Sequence, residues 1–287
     1  MATKPALTKN DNLGSVNTLR GFVNKILSLE KNPSSEVFYR GHSNALKYRL
    51  EPSIFRVNEK KEYIYKDKEH ILYRELIISN PDDFIDDTYT LDKLIRMQHY
   101  SLPTRLLDIT TNPLIALYFA CKTNPTIEGE VIILTMASDK IKYYDSDTAS
   151  CLANIARLPN SEKNSLNIYL EHDEFNRLTS VKRLLHLIKE EKPFFEPSIK
   201  ARDLERIICV KGKKSNARIS SQSGAFLLFG VKQGLNENGN SDIVIKRLKI
   251  NGKDDILKEL DMLNINESTV YPYIENSAKY LANKYSN

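Results

Sequence analysis

Apolar residues at Leu19, Phe22, Val23, Ile26 and Leu27 recur at helical spacing, and Ser15 ahead of them suits an N-cap. Asn32-Pro33-Ser34-Ser35 breaks that pattern. Val37-Phe38-Tyr39 then predicts a short strand that ends at Arg40-Gly41-His42. Ile64, Ile71, Leu72, Leu76 and Ile77 fall on one face of an amphipathic helix over 59–79, and a further helix covers 91–99. Asn112-Pro113 is an N-cap and N1 pair, which predicts a helix over 113–122. The run 130–135 behind Gly129 reads as a strand, and 136–173 reads as irregular and polar. Leu178, Val181, Leu184, Leu185 and Ile188 mark another helix. Three strands follow at 206–210, 224–231 and 243–250, and helices at 252–262 and 272–284 close the chain. Strands and helices are segregated, so the pattern favours an α+β fold over a doubly wound sheet. Residues 1–14 read as a loose polar stretch, and 15–287 as one domain without a Pro/Gly linker.

Composition removes several function classes. No window reaches eighteen apolar residues, so no membrane span and no membrane partner is expected. The first dozen residues hold no apolar h-region, and a secretory signal is not expected. Cys121, Cys151 and Cys209 are widely spaced and lack a C-x-x-C pattern, which points to a reducing, cytoplasmic setting without disulfides or a zinc site, and the apolar runs around Cys121 and Cys209 mark those two as core thiols. His42, His70, His99, His172 and His186 show no ligand spacing, so no metal site is expected. A net charge of +5 over 287 residues permits an anionic partner without demanding one.

Three constellations carry chemistry. The block from Met97 to Cys121 packs Gln98, His99, Tyr100, Thr104, Arg105, Asp108, Thr110, Thr111 and Asn112 ahead of an almost wholly apolar run. A dense polar block that leads into a buried helix marks a binding or catalytic site; the competing reading is a buried Arg105–Asp108 ion pair that locks a loop. The spacing of Arg105 and Asp108 predicts a hydrogen-bonded pair. The second constellation is Phe38-Tyr39-Arg40-Gly41-His42, where a strand-end arginine sits beside a residue without a Cβ and can fork onto phosphate or ribose oxygens. Its alternative is a turn with a solvated arginine. The third runs over 218–229, with Gln222 at a strand entrance facing a cleft, or else in a turn that caps backbone groups. The basic run Lys211-Gly212-Lys213-Lys214 lies beside it.

In this order the pieces resemble the FRG domain, named for F-x-R-G, here Phe38 to Gly41. The Q-H-x-G-x-P-T-R-L-L-D-W-T block of that family appears as Q-H-Y-S-L-P-T-R-L-L-D-I-T, followed by A-L-Y-F-A. Its late R-x-x-x-Q-x-G-x-F element appears at Arg218, Gln222, Gly224 and Phe226, and a closing segment ends on Tyr271-Pro272. Ser101 stands for the usual Gly and Ile109 for the usual Trp. The FRG pattern is in turn similar to ADP-ribosyltransferases. That likeness implies a core of short strands in a split antiparallel sheet flanked by helices, with NAD as cofactor. It implies a cofactor-binding set of Tyr39, Arg40, Gly41, His99, Tyr100, Arg105, Thr110, Thr111 and Tyr118, with Tyr100 or Tyr118 against the nicotinamide ring. It also implies a catalytic set of Arg40, Asp108 and Gln222. Gly224 stands where those enzymes carry a glutamate, Gln222 brings no charge, and Asp108 is the substitute carboxylate.

The resemblance implies an ADP-ribosyltransferase that modifies a macromolecule, with nucleic acid such as RNA or DNA favoured over protein. A bacterial toxin or phage-defence effector fits, with an antitoxin or inhibitor protein as partner. The alternative is a non-catalytic module that binds a nucleotide or nucleic acid on the same fold. A hydrolase built on His99 and Asp108 ranks last, because no G-x-S-x-G elbow or reactive cysteine accompanies them.

Overall fold

The computed structural model describes residues 12–30, 32–213, 224–272 and 274–285. Among them, eight strands form one sheet: β1 (Asn12–Val16), β2 (Ser35–His42), β3 (Leu106–Thr110), β4 (Gly129–Ala137), β5 (Lys142–Tyr143), β6 (Ile207–Lys211), β7 (Gly224–Phe229) and β8 (Ile243–Ile250). Their order is β1-β8-β4-β2-β3-β7-β6-β5. All internal pairings are antiparallel, and the two edge pairings, β1 with β8 and β5 with β6, are parallel.

The centre of the sheet is its weakest seam. β2 pairs with β4 along its whole length, from Ser35↔Ala137 to His42↔Glu130. β3 pairs with β7 from Leu106↔Leu228 to Thr110↔Gly224. Between these halves β2 and β3 meet at one residue pair, Tyr39↔Thr110. The sheet is continuous there but nearly split.

Alternation along the strands sorts the core into three clusters. One cluster holds Phe38, Ile132, Leu134, Leu107, Ile109, Leu227 and Ile245, and it backs both halves of the sheet on one face. The other face is covered by two separate helical layers. Over β8, β4 and β2 lie α1 (Leu19–Leu27), α4 (Pro113–Cys121) and a helix at Lys253–Met262, with Phe22, Leu117, Val131, Ile133, Leu248, Ile256 and Leu260 between them. Over β3, β7 and β6 lie α3 (Thr90–His99), α5 (Asp147–Asn154) and a helix at Thr179–Glu191, packed through Leu94, Ile95, Leu152, Val181, Leu184, Val210 and Leu228. The seam between the two layers runs above the seam between β2 and β3.

Several elements differ from the sequence pattern. The N-cap of α1 is Thr18, whose hydroxyl accepts from Gly21 N at 3.1 Å, while Ser15 lies in β1. Strand β2 does not stop before Arg40-Gly41-His42 but carries all three in register with β4. The helix expected over 59–79 begins only at Glu69 as α2 (Glu69–Ser79), because the preceding residues fold into a turn closed by a Val57↔Tyr63 bridge. Its buried side chains are Glu69 and Tyr73, and Ile71 and Ile78 stand exposed. The segment 136–173 is not irregular: α5 lies in it, buried from Ala149 to Asn154, with small residues Ala149, Ser150, Cys151 and Ala153 allowing close approach. Cys121, Cys151 and Cys209 are buried and unbridged, and burial pushes each thiol up to about 12. Among the described residues no helix is long and apolar enough to cross a membrane.

Candidate functional site

A cavity of about 230 Å³ opens where the two seams coincide. Tyr39, Arg40 and Gly41 of β2 form one wall, and Asp108, Ile109 and Thr110 of β3 the other. Ile95, Gln98 and His99 come from α3, Ile115, Ala116 and Phe119 from α4, Gly224 and Phe226 from β7, and Tyr271 from the closing segment. Strands that part leave room for a ligand, whereas a full β2–β3 ladder would fill it.

Arg40 crosses the opening. With Phe38 and His42 it belongs to the sheet face opposite the helices, and it lines the cavity beyond the Tyr39–Thr110 pair. Its Nη1 donates to the backbone carbonyl of Asp108 at 2.7 Å, and its Nε donates to His42 Nε2 at 3.2 Å. Continuing the antiparallel register would set Gly41 opposite Asp108. The guanidinium thus supplies the donor that a missing ladder bond would have given. Burial lowers the Arg40 pKa, the Asp108 charge opposes that, and Arg56 adds to it. The group stays a cation.

Asp108 faces solvent and the cavity. Its Oδ2 accepts from Gln98 Nε2 at 2.7 Å, and Gln98 Oε1 accepts in turn from the Thr104 hydroxyl. Gln98 is held from below by a Schellman end to α3: Leu102 N donates to Met97 O at 3.0 Å and Ser101 N to Gln98 O at 2.9 Å. Ser101 closes it at φ +65°, a left-handed conformation that glycine adopts without strain. That explains a glycine at this position in the FRG pattern. Thr110 caps the next turn, accepting from Asn112 N at 3.0 Å, and Asn112 then caps α4 by accepting from Leu114 N at 2.9 Å. A strand, a turn and a capped helix thereby fix the 104–114 backbone around the cavity.

Gly41 serves the fold as much as the site. A Cβ there would stand 1.9 Å from Ala116 O and 2.6 Å from Ala120 N. The missing side chain lets α4 lie directly on β2, whereas the sequence reading assigned that space to a ligand. Tyr39 is buried beside it, and burial raises its phenol pKa.

Other members of the expected site lie elsewhere. Arg105 does not pair with Asp108 and does not line the cavity. It is 2% exposed and forks onto Glu69 of α2, with Nε–Oε1 at 2.9 Å and Nη2–Oε2 at 2.5 Å. Its Nη1 donates to the carbonyls of Phe229 and Gly230 at 2.9 and 2.8 Å. Alternation explains this: Arg105 precedes β3 and turns away from the face that carries Asp108. Tyr118 points into the core behind α4, where burial raises its pKa, and Phe119 and Tyr271 form the aromatic wall instead. Tyr100 is half exposed and off the cavity, with its ring edge-on to His99 at 5.2 Å. Thr111 sits exposed in the turn before α4. Gln222 and Arg218 lie outside the described residues. Lys211 pairs with Glu36 at 2.7 Å, and Lys213 with Asp92 at 3.2 Å beneath the rings of Tyr89 and Tyr144, so both lysines are committed within the fold. Among the described residues no group of three or more His, Cys, Asp and Glu side chains could hold a metal ion.

The geometry defines a mixed-sheet protein with a ligand-sized cavity at the parting of its central strands. The FRG-domain family model matches residues 35–128, from the start of β2 to the residue before β4. The cavity walls on β2, α3, β3 and α4 fall inside that match, whereas Gly224, Phe226 and Tyr271 fall outside it. Neither the curated proteins nor the solved structures searched give a match.

Proposed function

We propose that this cavity binds NAD and that the protein is an ADP-ribosyltransferase acting on a macromolecule, with nucleic acid such as RNA favoured over protein, in the setting of a bacterial toxin or phage-defence effector. One observation carries the reading: a fixed guanidinium and a carboxylate from different strands, Arg40 and Asp108, converge with Gln98 and His99 on one cavity. Arg40 suits a phosphate or ribose oxygen. The Asp108 carboxylate suits the positive charge that develops at the ribose as nicotinamide departs. Transfer would break the glycosidic bond, with its electron pair leaving on nicotinamide. An acceptor oxygen or nitrogen would bond to the ribose carbon and lose its proton to solvent. Phe119 and Tyr271 offer faces on which a heteroaromatic ring can lie.

The test is transfer of label from adenylate-labelled NAD into RNA, DNA or protein of a bacterial lysate, run with the full chain. Label should enter one macromolecular fraction and be lost in Arg40→Lys, because an ammonium lacks the planar fork. Folded wild-type protein that neither binds nor consumes NAD overturns the reading. A second reading, a nucleotide-binding module without catalysis, is favoured by β7, whose Gly224-Ala225-Phe226 start brings no carboxylate to the cavity. Binding of NAD without transfer would support that one.

A further inference from the structure

Behind Arg40 runs a buried chain of charge that the ligand reading does not use. His42 follows on the same face of β2, is 3% exposed, and stands directly opposite Glu130 of β4. Its Nε2 meets Arg40 Nε at 3.2 Å and its Nδ1 meets Glu130 Oε1 at 3.1 Å. The same Glu130 oxygen accepts from Arg247 Nη1 of β8 at 2.9 Å, and Arg247 Nη2 donates to Glu237 Oε2 at 2.5 Å. Glu237 Oε1 in turn accepts from Leu50 N at 3.1 Å. The chain therefore runs from the cavity across three adjacent strands, β2, β4 and β8, within one half of the sheet. The Tyr48 ring stands edge-on to His42 at 5.9 Å.

An arginine Nε–H can only donate, so the His42 nitrogen it meets must carry a lone pair. The proton of a neutral ring then lies on Nδ1 and points at the Glu130 carboxylate. An imidazolium would set two N–H groups against each other at the Arg40 contact. We propose that His42 is a positioning residue: a neutral ring, protonated on Nδ1, that fastens the Arg40 guanidinium so that its outer edge faces the cavity. Two anchors, His42 on Nε and the Asp108 carbonyl on Nη1, leave the fork a single orientation. A long side chain without them would lose most of its preorganisation. The tautomer follows from geometry alone, and only its functional consequence rests on the NAD reading.

The full chain labelled with 15N in histidine and arginine tests this. The His42 resonances are identified by their loss in His42→Gln. Wild type at neutral pH should show a protonated Nδ1 and an unprotonated Nε2. An Nε2–H tautomer or an imidazolium there overturns the proposal. His42→Gln keeps an acceptor and a donor, so Arg40 Nε–H should stay protected from solvent exchange. In His42→Leu that exchange should become fast, and unchanged exchange would also overturn the proposal. Should His42→Leu fail to fold, His42→Asn, too short to reach both partners, takes its place. NAD affinity should fall roughly 10- to 100-fold in His42→Leu, the worth of a hydrogen bond to a charged group. That fall should vanish when Arg40 is already Lys; an equal fall in both backgrounds means that His42 acts on the fold and not through Arg40. Wild-type protein that shows the expected tautomer and exchange but does not bind NAD rejects the functional reading and upholds the anchoring role.

Discussion

Arg40 and Asp108 meet through the main chain: Nη1 of Arg40 donates to the backbone carbonyl of Asp108 at 2.7 Å, across the point where β2 and β3 part. The Asp108 carboxylate is thereby left to Gln98 and to the cavity. Removing its charge need not disturb the Arg40 anchor, since every residue type offers the same carbonyl. The site's charge and its scaffold can be separated by mutation.

Asp108→Asn should therefore keep near-wild-type stability while turnover of NAD falls roughly 10²–10³-fold, in line with loss of one preorganised electrostatic group. Thermal unfolding and label transfer measured on the same preparation check this. An Asp108→Asn protein with wild-type turnover would remove the carboxylate from the mechanism.

Arg105 and Glu69 predict the opposite behaviour. Burial alone would push Glu69 up, but the Arg105 and Lys163 charges and hydrogen bonds more than reverse that and leave it at about 2, against an ordinary 4.5. A carboxylate with a depressed folded pKa adds stability that is fully present above the unfolded value and is lost as pH falls toward about 2. Glu69→Gln should cost about 3–5 kcal/mol at neutral pH, since it strands a buried guanidinium. Urea titrations of wild type and Glu69→Gln from pH 7 to pH 3 should show the gap narrowing with acid. A gap that stays constant would mean that Glu69 is not the titrating partner.

Gly41→Ala should destabilise the protein by about 1–3 kcal/mol or more, because the new methyl meets main-chain atoms of α4 that cannot rotate away. The loss should appear in unfolding experiments without any ligand present. A stable Gly41→Ala protein that only loses NAD binding would restore Gly41 to a purely ligand-facing role.

Ser101→Gly should stabilise by up to about 1 kcal/mol, since it relieves a side chain held at φ +65° in the Schellman turn. A differential melting measurement reads this directly, and a decrease in melting temperature would contradict the strain.

The sequence by itself determined most of the elements and one end of the site. Asn112-Pro113 started α4 where the pattern put it, because an N-cap and a fixed φ act over neighbouring residues. The apolar runs at 130–135 and 243–250 formed β4 and β8, and segregated strands produced a sheet with an antiparallel interior. Arg40, Gly41, His99, Asp108 and Thr110, dense in two short motifs, do meet at one cavity. Their closeness was legible because F-Y-R-G-H and the 97–112 block are each local, and a single strand pair, Tyr39 with Thr110, joins them.

Partners drawn from far along the chain were decided by tertiary structure. Spacing placed Arg105 with Asp108, but the alternation of a strand sends them to opposite faces, and Glu69, 36 residues upstream, takes the arginine. Tyr118 and Phe119 are adjacent in sequence, and only the angle of α4 on Gly41 turned Phe119 to the cavity and Tyr118 to the core. Tyr271 closes the same wall from 152 residues beyond Phe119, with their rings edge-on at 5.9 Å. The chain from His42 through Glu130 to Arg247 exists only because β2, β4 and β8 lie side by side. Local pattern is set by short-range sterics and hydrogen bonding, which a sequence displays. Which charges are buried together is set by strand order and facing, and those emerge only when the sheet closes.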